Sequence, residues 1–329
     1  MLSLYESLAV QLKCPPGLIY VLKSVVAEDK VPLLLSLNEW VEPKDVCDKL
    51  GQPIEVTGKA IHELFRDGLV LRNEYCYKAR SFYGILNTLL GEGKLNGLSP
   101  VERKKAEDYY IQSRLQIYDK YIARGQLKAS SRVMTTGEAL KHHQRLHAAG
   151  KSLIVTTDEA FDILSRSYLR VLVPCSCRLT FQNCQKPVNT CIILNESARE
   201  QLERSVGQQI TVEEGQEILA IADREGLVHL TISSPGQLEY ALCSCCCCCC
   251  HDLQALVKYG RSKWVQKADV IALDNREKCI DCQQCVDRCV FGARENINGH
   301  LFYDSQLCYG CGLCVTTCPS ESIALISRG

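Results

Sequence analysis

Two runs of cysteine near the C-terminus constrain this chain more than any other feature. The first reads CIDCQQCVDRC, Cys279 to Cys289, and the second CYGCGLCVTTCP, Cys308 to Pro319. Both follow C-x2-C-x2-C-x3-C, and the second repeats the first, cysteine for cysteine, 29 residues later. Such a repeat predicts two like halves related by a pseudo-twofold axis. Three thiolates at this spacing curl round one iron–sulfur cube. The fourth, after the longer gap, points away and reaches the other cube. The spacing therefore predicts one [4Fe–4S] cluster on Cys279, Cys282, Cys285 and Cys318, and a second on Cys308, Cys311, Cys314 and Cys289. Structural zinc sites also use paired cysteines, but not two linked four-cysteine runs with a proline after the last. Asn298-Gly299 lies between short apolar runs and predicts a tight hairpin turn. A unit of about 55 residues has little core, so cluster binding is expected to supply much of its stability.

The two runs resemble the bacterial two-cluster ferredoxin family, over about residues 272–329. The resemblance implies a ferredoxin-like fold and electron transfer. The first run departs from the second in two ways. Val290 stands where the second run has Pro319, and Asp281 and Gln283 stand where it has Gly310 and Gly312. Glycine lets backbone amides approach the sulfurs, whereas a nearby acid disfavours an added electron. The cluster on Cys279 is therefore expected to have the lower potential.

The chain holds 22 cysteines. Three lie in the front half (Cys14, Cys47, Cys76) and the rest fall between Cys175 and Cys318. A secreted disulfide scaffold is usually short and cysteine-dense throughout, unlike this chain. The opening MLSLYESLAVQLKCPPG carries no basic run, and Glu6 and Gln11 interrupt its apolar residues, so no signal peptide is expected. No stretch reaches the roughly 18 uninterrupted apolar residues of a membrane helix. The expected setting is a reducing cytoplasm, where thiols stay free for metal. The 38 basic and 38 acidic residues cancel, so no overall field points to nucleic acid or an anionic membrane.

A second constellation lies in the middle. Pro174 precedes Cys175-Ser-Cys177-Arg178, then Cys184 and Cys191; later come Cys243, Cys245 to Cys250 and His251. Seven cysteines in eight positions cannot all be packed as core. Cys175, Cys177, Cys184, Cys191, Cys243, Cys245 and Cys246 form a candidate third site. It would hold an iron–sulfur cluster, a mononuclear metal or an unusual cluster, with Arg178 offsetting thiolate charge. Structural zinc with spare thiols, or a drifted low-complexity run, are the plainer readings, and all stay open here. Which of Cys245 to Cys250 would ligate is not legible: side chains of an extended run alternate sides, and a loop need not obey that.

The front half reads as helices and a hairpin. Val46 and Leu50 share one face of a helix opened by Glu42-Pro43, and Gly51 and Pro53 punctuate its end. Ile61, Leu64 and Phe65 mark a second helix near 56–67, stopped by Gly68. LVLRNEYCYKA then alternates like a strand pair. Helix, turn, helix, strand pair is the order of a winged helix. Residues 91–150 look polar and helical, with ten Lys/Arg against five Asp/Glu between 102 and 145. His142, His143 and His147 lie there without a completing acid or cysteine, which favours a surface cluster over a metal site. Further on, SYLRVLVPCSC predicts a buried strand entering a cysteine loop, Thr211-x-x-Glu214 a capping box, and LVHLTIS a strand.

The fold class expected is thus α+β and multidomain. It comprises a winged-helix-like domain at 1–90, a helical basic linker at 91–150, an α/β cysteine-rich middle domain at 151–270 and a two-cluster ferredoxin-like domain at 271–329. As a whole this order resembles bacterial and archaeal proteins called simply 4Fe–4S binding or 4Fe–4S dicluster proteins, which implies electron transfer. The function expected is an electron carrier whose partner is a redox protein or oxidoreductase subunit. A reductase working at the middle cysteines and a redox-sensing winged-helix regulator are the alternatives. The charged residues of the candidate recognition helix, Glu55, Lys59, Glu63, Arg66 and Asp67, sum to minus one. DNA, whose phosphates reward basic faces, is therefore not the expected partner. No Rossmann fingerprint, P-loop or serine triad occurs. A nicotinamide or flavin source of electrons would sit on another protein.

Overall fold

The protein is described from a computed structural model that covers residues 2–141 and 158–328; the three histidines at 142, 143 and 147 fall outside the described residues. The chain divides into two compact units, residues 1–117 with 203–206, and residues 118–202 with 207–329.

The first unit is mainly helical. Helices α1 (Leu4–Leu12), α2 (Ile19–Val25) and α3 (Val31–Ser36) precede α4 (Pro43–Leu50) and α5 (Ile54–Arg66). Pro43 sits in the first turn of α4, where a missing N–H costs nothing, and Gly51 caps its end at φ 63°. Helix α5 buries Ile61, Leu64 and Phe65. Just beyond it, Gly68 has φ 80°, and a β-carbon there would meet Thr88 at 2.3 Å. The antiparallel hairpin β1 (Val70–Asn73) and β2 (Cys76–Ala79) follows. Helix α6 (Phe82–Gly91) then closes a core that includes Leu8, Val21, Leu34, Ile61, Phe82 and Ile85. Helix α7 (Pro100–Ala123) leads onward.

The second unit is built on a seven-stranded sheet of order β6-β4-β5-β8-β7-β3-β9. Its strands are β3 (Ser131–Met134), β4 (Arg170–Pro174), β5 (Asn189–Leu194), β6 (Gln208–Gln209), β7 (Val228–Ser234), β8 (Gln237–Cys245) and β9 (Val265–Gln266). All neighbours are antiparallel except β3 and β9. Strand β3 arises in a stretch whose sequence reads as helical linker. Helices α8 (Glu159–Arg166) and α11 (Val212–Arg224) contribute Ala160, Ile163, Leu164 and Leu219 to a core shared with Ile192, Leu194 and Leu242. The capping box at Thr211 and Glu214 is formed. Two further helices belong here: α9 (Ser176–Phe181), in place of the loop expected after β4, and α10 (Asn195–Glu203).

This topology gathers cysteines at one edge. Antiparallel pairing puts the end of β4, the start of β5 and the end of β8 side by side, so that Val173 pairs with Cys191 and Cys191 with Cys243. A tight turn then enters α12 (His251–Val257).

The C-terminal part of the same unit is a repeat. Strand β10 (Val270–Asp274) pairs antiparallel with β13 (Ile323–Ser327). Between them come the first cysteine run, α13 (Gln284–Arg288), the hairpin β11 (Arg294–Ile297) and β12 (His300–Tyr303), the second run and α14 (Leu313–Thr316). Asn298 and Gly299 turn the hairpin with φ 54° and 88°, the left-handed pair that such turns require. The halves match in detail: the Asn275 side chain accepts from Glu277 N–H before the first run, and Asp304 accepts from Gln306 N–H before the second.

Candidate metal centres

The eight cysteines of the two runs line two cavities. Cys279, Cys282, Cys285 and Cys318 line one, together with Ile280, Leu301 and Ile323. Cys289, Cys308, Cys311 and Cys314 line the other, with Ala272, Phe291, Tyr309 and Leu325. Each cavity thus takes three thiols from one run and the last thiol of the other.

The donor set tests what fits there. A single tetrahedral ion with metal–sulfur bonds of ~2.3 Å holds its sulfurs about 3.8 Å apart. Among the described residues, neither quartet closes to within 4.8 Å of one another. Four thiols spread round a mostly apolar cavity fit a body larger than one ion, and four cysteines are the ligand set of a [4Fe–4S] cluster.

Burial pushes the thiol of Cys311 well up and that of Cys314 up to about 12, so loading must expel protons. Cys318 differs. Burial raises its pKa, but hydrogen bonds from Ser322 and Ser320 more than offset this and bring it down. Ser322 reaches its sulfur with Oγ at 3.2 Å and N–H at 3.3 Å.

Arg294 is a feature the sequence reading missed. Its guanidinium is buried, forms a two-pronged pair with Asp274 at 2.7 and 3.0 Å, and lies 3.8 Å from Cys285 Sγ. Its charge also acts on Cys314, in the other quartet, whose cavity it helps to line. One cation therefore serves both cavities, where it lowers the cost of crowding thiolates. No pattern marks this arginine in the sequence, because its role comes from the hairpin folding back between the runs. Asp281 accepts from Leu301 N–H at 3.1 Å and lies 3.8 Å from Cys279 Sγ. That hydrogen bond, aided by His300 and Arg276, holds its carboxyl below the usual range.

The middle cysteines separate into two groups. Six form a closed ring of neighbouring thiols, each acting electrostatically on the next: Cys175, Cys177, Cys250, Cys245, Cys243, Cys191 and back to Cys175. His251 Nδ1 is 3.1 Å from Cys177 Sγ. The other group is Cys184, Cys246, Cys248 and Cys249, all within 4.8 Å of one another. Of the seven candidates named from sequence, five stand in the ring. Cys184 and Cys246 stand in the second group, which Cys248 and Cys249 complete. Arg178, buried, donates to Ser244 O at 3.0 Å and to Thr190 Oγ1, and lies 4.0 Å from Cys246 Sγ.

Comparison with known proteins agrees with the C-terminal geometry. The 4Fe-4S binding domain family matches residues 301–324. Pyruvate synthase subunit PorD of Methanocaldococcus jannaschii is 40% identical over 55 residues, 16% of this chain and 63% of its own length. An uncharacterized ferredoxin of the same organism is 36% identical over 55 residues, 16% of this chain and 71% of its own length. PorD of Methanothermobacter marburgensis is 35% identical over 51 residues, 16% of this chain and 59% of its own length. The chain thus spans less than two thirds of the two PorD subunits. No solved structure gives a significant match. Among the described residues no helix is long and apolar enough to cross a membrane. Cysteine spacing, thiol-lined cavities and these relatives converge, and through its C-terminal region the chain belongs to the ferredoxins, the iron–sulfur electron-transfer proteins that bind 4Fe-4S clusters.

Proposed function

We propose that the protein relays electrons through two [4Fe–4S] clusters. Cys279, Cys282, Cys285 and Cys318 would hold the first, and Cys308, Cys311, Cys314 and Cys289 the second. The observation that carries this reading is the lining of the two cavities, each by one triad and the fourth thiol of the other run. When bound, such clusters accept and return one electron at a time. The chain's own residues do the rest. Arg294 offsets charge at both cavities, Ser320 and Ser322 donate to Cys318, and the exposed Cys282 marks the first cavity as the place of exchange with a partner.

That partner we infer to be an oxidoreductase, by analogy with the PorD relatives, which are subunits of pyruvate synthase. A reducing cytoplasmic setting fits a chain whose 22 cysteines are all free. The order α4, α5, β1, β2 supports a winged-helix module used for docking or dimerisation. DNA is not its expected target, since α5 offers no net positive charge and Glu63 is already paired with Lys30 at 3.0 Å.

The test is iron and acid-labile sulfide per chain on anaerobically purified protein, with EPR after reduction. About eight irons, with signals of two interacting [4Fe–4S] clusters, is the expected result. Zinc in their place would overturn the reading. The six-thiol ring favours an addition, a third iron–sulfur cluster. Its thiols meet in pairs, and among the described residues no three of them close to within 4.8 Å, which suits a multi-iron body better than one ion. About twelve irons per chain would support that addition, and eight would remove it.

A further inference from the structure

The second group of middle cysteines has a different geometry from every other thiol set in the molecule. Cys184 stands just beyond α9, and Cys246, Cys248 and Cys249 stand on the turn between β8 and α12. Their sulfurs lie 3.7 Å apart for Cys184 and Cys246, 3.8 Å for Cys184 and Cys249, and 3.9 Å for Cys248 and Cys249. The edge of a tetrahedron with ~2.3 Å metal–sulfur bonds is about 3.8 Å. We propose that Cys184, Cys246, Cys248 and Cys249 form a closed tetrathiolate site for one zinc ion, distinct from both ferredoxin cavities and from the six-thiol ring. This does not rest on the ferredoxin reading.

The surroundings fit a structural ion. Four sulfurs fill a tetrahedral coordination sphere, leaving no position for substrate or water. Soft thiolates in this geometry select zinc or iron. The site joins the loop after α9 to the β8–α12 turn, a mechanical task that a redox-inert ion performs at every potential. The polar neighbours hold the turn in place: Asn183 donates to Cys248 O at 2.8 Å and Gln254 to the same oxygen at 3.2 Å. The guanidinium of Arg178, beside Cys246, opposes the net negative charge that four thiolates would leave on a divalent ion.

The plainer reading is a small apolar cluster, since Cys246 and Cys249 pack with Ala222 and Leu227. Packing alone does not explain how the six consecutive cysteines are sorted. Cys245 and Cys250 join the ring, Cys246, Cys248 and Cys249 join the tetrahedron, and the half-buried Cys247 joins neither.

The test counts metals in full-length, anaerobically purified protein alongside Cys184→Ser, Cys249→Ser and Cys247→Ser. The expected result is about one zinc per chain in the wild type and in Cys247→Ser, and none in the other two. The iron count and the ferredoxin EPR signals should stay unchanged in all four. Cobalt exchanged into the wild type, which needs no variant to fold, should give the intense visible bands of a tetrahedral tetrathiolate. Zinc missing from the wild type, zinc kept by Cys184→Ser, or iron lost in its place overturns the proposal, as would weak octahedral cobalt bands. A wild type with zinc but no iron would support this site while overturning the electron-relay reading.

Discussion

Asp281 and Gln283 hold left-handed backbone positions in the first half of the ferredoxin region, at φ 49° and 65°; Gly310 and Gly312 hold the matching positions in the second, at 76° and 83°. Backbone shape therefore does not by itself demand glycine, although a side chain there costs about 1–2 kcal/mol. What differs is the neighbour. A β-carbon on Gly310 would sit 2.2 Å from Val270 O, and one on Gly312 would sit 2.6 Å from Ala139 Cβ. Thr135 and Thr136, just after β3, bond Gly310 O and Cys311 O at 2.9 and 3.0 Å. The second half is thus docked against the large sheet, while the first keeps Cys282 and Ile280 exposed. The repeat is one device used twice: the second run is packed behind the residues after β3, and the first leaves Cys282 and Ile280 exposed while Arg288 ties it to the end of α11.

That contrast can be strained from both sides. The largest effect is expected where the halves share a residue. Arg294→Ala leaves the buried Asp274 carboxylate without its partner, which costs about 3–5 kcal/mol, and thermal unfolding should show it. EPR of both clusters should change, because Arg294 lies against Cys285 and its charge acts on Cys314; a change at one cluster alone would break the symmetry of its role. Next comes Gly312→Ala, expected to destabilise by about 1–3 kcal/mol through strain and overpacking. Gln283→Ala, its counterpart, is already left-handed and meets no overpacking; it should lose about 1 kcal/mol, for the hydrogen bonds from its amide to Asp281 O and Gly299 O. Equal losses in the two melts would show that the docked contact does not matter. Kinetics should separate the halves as well: a bulky chemical oxidant should bleach the cluster of the first cavity before that of the second. The smallest effect is Asp281→Gly, an upward shift on the order of 30 mV in the first cluster alone by redox titration; no shift would remove the carboxylate as a cause of asymmetry.

Much of the C-terminal region was legible because covalent spacing dictates it. The eight cysteines that line the cavities and the Asn298-Gly299 turn follow from local sequence. Arg294, Asp274 and the docking of Thr135–Ala139 do not, because each comes from residues far apart in sequence. Strand β3 was hidden for a related reason: SRVM is four residues long in polar surroundings, and only its partners β7 and β9 make it a strand. In the middle region the sequence offered one pool of thiols. Three-dimensional sorting of consecutive cysteines into a ring and a tetrahedron depends on a turn whose geometry no alternation rule predicts.

The central claim is crossed ligation, and iron content in a paired set of variants tests it most directly. Replacing Cys308 and Cys311 with Ala should remove about four irons. Adding Cys289→Ala to that variant should remove no more, because its cluster is already gone, whereas adding Cys318→Ala should remove about four further irons. The reverse pattern, with Cys289 costing the second set and Cys318 nothing, would mean that each run holds its own cluster and would contradict the account.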